Sequence, residues 1–358
     1  MKKILFICPY PEKVAAGQRL KFEPHFQAFK EKGFSIGVHS FMSEALWNVA
    51  SKKGHGVTKI FWTLSGLIRR ILLIRSIRHY DSVYIFMNVF PFGPPILEKI
   101  YLKLAKNVIY DIEDDLLSTN PESVSGIASI LKSKSKTKYL IRNSNHVIAS
   151  SPELANKCNA ISQKNNAIFI PPTLESKRFH VKPLEQISDS KPVIGWTGTY
   201  SSREFLDAVI PSLEALHQKT PFKFMVIGNF DMKNKNLDME VVQWEEKSEI
   251  EQLHHFDIGL YPLPDSDWIA GKSGLKALQY MAIGIPAVCS AVGNVLNIIE
   301  HDKDGILIYN TDQWAGVLGE LLNNPEKRRL IGKNARDKFI NNFSQEAIFQ
   351  KYLSVLGD

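Results

Sequence analysis

Short apolar runs alternate with amphipathic stretches over the first 170 residues, halt at a proline- and serine-rich segment, and then alternate again. That doubled rhythm leaves few folds open, because strands separated by helices pair in parallel and bury both faces of their sheet. The first run, Lys3-Ile4-Leu5-Phe6-Ile7-Cys8, shows no polar alternation after Lys3 and ends at Pro9, as a buried strand does. Further strands are predicted over 35–39, 82–86, 107–112, 146–150 and 167–170, with helices over 18–32, 94–106, 136–143 and 152–162. The stretch 171–192 is rich in proline, serine and charge and lacks periodicity, as linkers do. Beyond it, strands are predicted over 192–196, 222–227, 240–244, 257–261, 286–290 and 305–309, with helices over 202–218, 247–255, 274–283, 312–323, 325–341 and 345–356. The expected architecture is α/β: two Rossmann-like, doubly wound domains, 1–175 and 192–342, joined by a linker at 176–191. Such sheets bind ligands beyond the carboxyl ends of their strands.

Charge divides along the same line. Residues 1–180 hold 26 Lys and Arg against 13 Asp and Glu, whereas residues 181–358 hold 18 against 24, a split hidden inside a net charge of +7. A basic half implies that one domain faces a polyanion. Cys8, Cys158 and Cys289 are too few and too scattered for a disulfide framework or a paired-cysteine zinc site, which favours a reducing compartment such as the cytoplasm. No apolar run reaches the roughly 20 residues of a bilayer span, and Met1-Lys2-Lys3 leads into a strand without a cleavage-site pattern, so neither an anchor nor a signal peptide is expected.

Two segments of the second half suit an anionic ligand. Val193-Ile194-Gly195-Trp196-Thr197-Gly198-Thr199-Tyr200-Ser201-Ser202-Arg203-Glu204 reads as strand, glycine turn and helix, with capping-box spacing between Ser201 and Glu204 and with Arg203 at the helix start. It serves equally as a structural turn or as a phosphate cradle. In Gly271-Lys272-Ser273-Gly274-Leu275-Lys276-Ala277-Leu278-Gln279-Tyr280-Met281-Ala282-Ile283-Gly284-Ile285-Pro286, helical spacing puts Lys272, Lys276 and Gln279 on one face and Leu275, Leu278, Met281 and Ala282 on another. Cations at a helix amino terminus oppose the macrodipole, an arrangement that an anion would justify.

This second segment resembles the nucleotide-sugar site of glycosyltransferase family four, the "group 1" set of retaining GT-B enzymes. It is especially similar to the bacterial cell-surface polysaccharide subset with Lys-x-x-x-Lys-x-x-Gln-Tyr-Met, here Lys272 to Met281. Phe169-Ile170-Pro171-Pro172 with Phe179 is similar to the family's interdomain phrase, Ile148-Ala149-Ser150-Ser151-Pro152 to its last amino-terminal strand, and Tyr110-Asp111-Ile112-Glu113-Asp114-Asp115 to an Asp-rich phrase near the cleft. The resemblance covers nearly the whole chain. It implies two domains facing across a cleft, with the closing helix within 343–358 crossing back to the first, and a nucleotide-diphosphate sugar, UDP- or GDP-linked, as substrate, with no cofactor and no metal. Donor-binding candidates are then Gly17, Gly198, Thr199, Lys272, Ser273, Gly274, Leu275, Lys276 and Gln279, and catalytic candidates Asp114, Asp115 and Lys272. Gln279 stands where the family has the glutamate that holds the ribose, and Gly271 aligns with its other glutamate, with Asp265 and Asp267 just upstream. An amide there forgoes the charge-assisted bond of a carboxylate.

In the first half, Asp111, Glu113, Asp114 and Asp115 close a predicted strand and suit either an acceptor-hydroxyl contact with general-base work or a helix-capping cluster. The loop Val14-Ala15-Ala16-Gly17, followed by Arg19 and Lys21, resembles the family's first-strand loop. Ten Lys and Arg lie between Lys52 and Lys106 against two acids, Lys132, Lys134, Lys136, Lys138 and Arg142 follow, and Leu64 to Arg75 mixes apolar and cationic residues as interfacial helices do. The expected partners are a nucleotide sugar, a glycan or lipid-linked acceptor and the anionic inner face of the cytoplasmic membrane, to which the protein attaches peripherally; nucleic acid is not expected. The expected role is retaining sugar transfer in cell-surface polysaccharide or lipopolysaccharide synthesis. A nucleotide-sugar epimerase of similar fold and a non-enzymatic polyanion-binding protein are the rival readings.

Overall fold

The computed structural model describes all residues except 51, 53, 114–116, 118–133, 182–190, 267–268, 270 and 357–358. Its chain divides into two compact units: Met1–Thr173 with Gly271–Ser273 and Ile348–Asp358, and Leu174–Ala270 with Gly274–Ala347.

The first unit is built on six parallel strands, β1 (Lys3–Cys8), β2 (Ser35–Ser40), β3 (Ser82–Phe86), β4 (Val108–Ile112), β5 (His146–Ala149) and β6 (Ala167–Phe169), in the order β2-β1-β3-β4-β5-β6. Leu5, Ile7, Val83, Ile85 and Tyr110 fill one face, and Ile4, Phe6, Tyr84, Phe86 and Ile109 the other. The period of two places alternate side chains on opposite faces, and both faces are covered. Ile348, Phe349, Tyr352 and Leu353 of the closing helix (Gln345–Leu356) belong to the second of these clusters.

The second unit repeats the plan with β7 (Val193–Gly198), β8 (Lys223–Gly228), β9 (Met239–Gln243), β10 (Ile258–Tyr261), β11 (Ala287–Ser290) and β12 (Ile306–Ile308). All pairs are parallel and the order is β12-β11-β10-β7-β8-β9, the doubly wound order expected. Of the predicted linker 176–191, the described part packs within this unit: Phe179 is buried, and Arg336 donates to Ser176 O at 3.0 Å and Phe179 O at 2.6 Å.

Two predicted helices are broken by proline. The stretch 18–32 becomes Ala16–Arg19, a 3₁₀ turn at Glu23–His25 and Phe26–Glu31, because Pro24 lacks the N–H of a continuous ladder. The stretch 202–218 becomes Arg203–Asp207 and Ile210–His217, with Pro211 in the first turn of the second piece. Helix Gly56–Leu73 is longer than the predicted interfacial stretch, and helix Glu44–Ala50 was not predicted.

Candidate functional site

Strand order in the second unit reverses between β7 and β10, which pair only as far as Ile194↔Ile258 and Gly195↔Gly259. Past that point the Tyr280 hydroxyl takes over, accepting from Thr197 N at 3.3 Å and donating to Leu260 O at 3.1 Å. Burial pushes that phenol well above its ordinary range, so it stays a neutral structural bridge. Gly195 and Gly259 are needed for packing: a Cβ at either would lie 2.1 Å from the Phe256 ring or 2.4 Å from the Tyr280 ring. A switch point of this kind, at the carboxyl ends of parallel strands, is where an open α/β sheet holds its ligand.

Several sequence-predicted residues surround it. Gly198 ends β7 and Thr199 follows it, with Thr199 Oγ1 2.9 Å from Ser201 Oγ, and a Cβ on Gly198 would meet the Trp196 ring at 2.4 Å. Lys276, on helix Leu275–Ala282, places its ammonium 4.6 Å from the ring centre of Trp196 on β7 and 5.4 Å from that of Tyr261 on β10. Two aromatic faces, one from each side of the switch point, therefore hold the cation there. Gly274 caps this helix at φ +80, where Ile298 Cδ1 would lie 2.4 Å from any Cβ, so glycine is required both for conformation and for space. Lys272 and Ser273 belong to the first unit, so the predicted motif divides between Ser273 and Gly274. Asp265 lies exposed in the segment after β10, and Asp267 is outside the described residues.

Gln279 is buried and donates through Nε2 to Glu249 Oε1 at 3.2 Å. Glu249, also buried, pairs with Arg178 at 3.4 Å and accepts from Trp244 Nε1 at 3.4 Å. A carboxylate only accepts, so it fixes the amide with nitrogen inward and carbonyl oxygen away from Glu249. Sequence reading missed Glu249; the signal was a buried-face acid in a predicted helix that had no assigned role.

Two local expectations are corrected. Ser201 forms no capping box: Ser202 takes the N-cap position without a side-chain cap bond, and its hydroxyl donates to Thr199 O at 3.0 Å. Arg203 is engaged by Asp207 at 3.5 Å and lies over the Phe230 ring at 5.8 Å.

In the first unit, Gly17 and the acid phrase meet. A Cβ on Gly17 would lie 2.0 Å from Glu113 Oε2, so glycine is what lets that carboxylate pack there. A carboxylate so close makes this loop a poor phosphate cradle and a better neighbour for a hydroxyl. Asp111 is fully buried, paired with Lys21 and accepting from the Tyr84 hydroxyl, and so belongs to the core of the unit. Asp114 and Asp115 lie outside the described residues. Basic residues read as surface are partly internal: Lys21, Arg70 and Lys136 are buried, Lys136 3.5 Å from Glu98 and 3.0 Å from Phe92 O. All three cysteines are free and buried; burial pushes the Cys8 thiol up to about 12, which leaves it unreactive at neutral pH. Among the described residues no group of three or more His, Cys, Asp or Glu is placed to hold a metal ion.

Residues 191–324 match the family model described as Glycosyl transferases group 1. N-acetyl-alpha-D-glucosaminyl L-malate synthase of Bacillus anthracis is 22% identical over 238 residues, which is 62% of this chain and 61% of the relative. The chain thus aligns with about three fifths of that relative's length. Two solved structures each cover 99% of this chain over 99% of their own, both at a TM-score of 0.66: Anabaena Alr3699/HepE in complex with UDP-glucose, at 14% identity, and the apo form of the lipopolysaccharide outer core galactosyltransferase WaaB, at 12%. At such identities the likeness shows the fold, two parallel-sheet Rossmann-like domains of GT-B type. The matched segment spans β7 to the helix Gln313–Asn323 and contains the switch point with Lys276 and Gln279.

Proposed function

We propose that the protein is a retaining, metal-independent glycosyltransferase that moves a sugar from a nucleotide-diphosphate sugar to a hydroxyl of a lipid-linked glycan acceptor. The donor seats at the β7/β10 switch point, and the observation that carries this reading is the Lys276 ammonium held over Trp196 and Tyr261 there. HepE, whose structure holds UDP-glucose, has the same fold, which supports a UDP-linked donor; GDP-linked sugars are the other class. As the bond from the anomeric carbon to the diphosphate breaks and that to the acceptor oxygen forms, negative charge grows on the leaving nucleoside diphosphate. Lys272, Lys276, Ser273, the Gly198–Thr199 turn and the backbone N–H groups of Gly274 and Leu275 are the groups assigned to stabilise it. Gln279 takes the ribose hydroxyls. The Gly17 loop and the acid phrase Glu113, Asp114 and Asp115 take the acceptor and its departing proton.

Retention, the lipid-linked acceptor and a role in cell-surface polysaccharide or lipopolysaccharide synthesis follow the resemblance of the Lys272 to Met281 segment. The basic first half supports a position on the anionic inner face of the cytoplasmic membrane. The deciding experiment is a thermal-shift and hydrolysis panel of UDP- and GDP-sugars on wild type and Lys272→Ala. One donor class should stabilise and be turned over by the wild type, and the substitution should abolish both effects. An epimerised nucleotide sugar without transfer would show the protein to be an epimerase instead.

A further inference from the structure

Helix Gly56–Leu73 is amphipathic in the inverted sense. At about 100° per residue, Gly66, Arg70 and Leu73 mark its inner face, and these are buried. The opposite face carries Val57, Ile60, Phe61, Leu64, Ile68 and Leu72, which are 54% to 85% exposed. Six large apolar side chains in one stripe on one helix form a larger patch than the scattered exposed leucines of an ordinary surface.

The helix is fixed in that orientation by its inner face. Arg70 donates through Nε to Val89 O at 2.9 Å, through Nη1 to His39 O at 2.8 Å and through Nη2 to Cys8 O at 2.7 Å. Those carbonyls lie at the carboxyl ends of β1 and β2 and just past the end of β3. Arg69 adds a bond to Phe41 O at 2.8 Å, and Gly66 packs so closely on Phe41 that a Cβ would come within 2.8 Å of it. Rotating the helix to bury the apolar stripe would strand a guanidinium and three carbonyls without partners. The helix therefore sits on the sheet edge where a parallel α/β domain binds ligands, with its apolar side outward.

Charge complementarity selects the occupant. Between Glu44 and Asp81 the chain has seven Lys or Arg and no acid. Of these, Lys52, Arg69, Arg75 and Arg78 are exposed. An apolar stripe flanked by cations, with no acid to repel lipid phosphate, matches an anionic bilayer surface.

We infer that Val57, Ile60, Phe61, Leu64, Ile68 and Leu72 insert into the interface of an anionic bilayer. The helix, rather than diffuse surface charge, is then the membrane-docking element of the protein. The inference deepens the membrane placement given above but is independent of the donor site. Binding by burial of apolar area persists when salt screens the charges, whereas attachment by lysines and arginines alone does not.

The test is co-sedimentation of the full chain with vesicles of phosphatidylethanolamine and phosphatidylglycerol, at low and at high salt. The variants are Ile60→Ser/Phe61→Ser/Ile68→Ser and Arg75→Gln/Arg78→Gln, all at exposed positions, with unchanged thermal melting as the check on folding. Wild type should bind at low salt and stay partly bound at high salt. The triple serine variant should lose about ten-fold or more in partitioning at both, and the double glutamine variant should lose chiefly the salt-sensitive part. Complete release of wild type by salt, or an unaffected triple variant, overturns the inference. So does self-association in lipid-free solution that the triple variant abolishes while wild type ignores vesicles, since a second copy would then cover the face. Nucleoside diphosphate binding by calorimetry separates the two readings: vesicle binding without it sinks the donor site, and the reverse sinks the docking helix.

Discussion

Placing at position 279 the glutamate carried by the family that the segment resembles should damage this protein. Gln279 Nε2 lies 3.2 Å from Glu249 Oε1, so Gln279→Glu would set two carboxylates at that separation in a buried place. At an effective dielectric of 20 the repulsion is about 5 kcal/mol, and a donated hydrogen bond to a charged group is lost as well. Arg178, 3.4 Å from Glu249, offsets part of this, and side-chain rearrangement relieves more. A net loss of about 2–4 kcal/mol remains, divided between folding stability and donor affinity; its whole weight on affinity would be roughly 30- to 1000-fold. The exchanged double variant Glu249→Gln/Gln279→Glu again has one amide and one carboxylate and should recover most of the loss, within about ten-fold of wild type. Calorimetric titration with UDP and GDP, together with urea denaturation of all three proteins, reads both shares. If Gln279→Glu binds nucleotide and resists urea as wild type does, or if the exchange recovers nothing, then Glu249 does not set the amide, and the ribose role given to Gln279 loses its support.

Two other expectations concern the first unit. His25 is buried with Nε2 3.1 Å from Thr173 Oγ1 and its ring against Phe349 and Tyr352, and burial pulls its pKa down to about 3. Below about pH 6.5 the unfolded chain takes up a proton that the folded chain refuses, so this stabilisation is complete above that pH and is lost as pH falls towards 3. Between pH 7 and pH 5 wild type should lose about 2 kcal/mol relative to His25→Phe in urea titrations, and parallel pH profiles for the two proteins would refute the assignment. Lys21→Met should cost about 3–5 kcal/mol by leaving the Asp111 carboxylate buried beside Tyr84 alone, and Lys21→Met/Asp111→Asn should regain much of it. A single-variant loss below about 1 kcal/mol would mean that the pair is not what holds β4 to the Gly17 loop.

Strand-and-helix alternation made both sheets legible because parallel strands buried on two faces are written as apolar runs, and β1 and β10 are plain examples. Helix breaks at Pro24 and Pro211 were legible too, had the missing N–H been weighed against periodicity. The Lys276–Gln279 face was visible in helical spacing, but its partners were not: Trp196, Tyr261 and Glu249 lie 80, 15 and 30 residues away, and only the folded unit brings them together. Charge misled most. Lys21, Arg70 and Lys136 add to the basic surplus, yet each is consumed inside by a carboxylate or by backbone carbonyls. A count of lysines and arginines does not distinguish a cation facing solvent from one that closes strand ends.

The Arg70 clamp has a mechanical consequence. A guanidinium bonded to three separate segments ties helix Gly56–Leu73 to the strand ends, so it acts as a pedestal rather than a tether. A tethered enzyme on a bilayer samples every tilt and meets its acceptor at whatever height diffusion allows. A pedestal bolted to the carboxyl ends of β1 and β2 fixes both tilt and height for the edge of the sheet that carries the Gly17 loop. Under the docking proposed above, seating the helix in lipid converts a three-dimensional search for the proposed acceptor into a two-dimensional one, with the edge that carries the Gly17 loop held at one tilt.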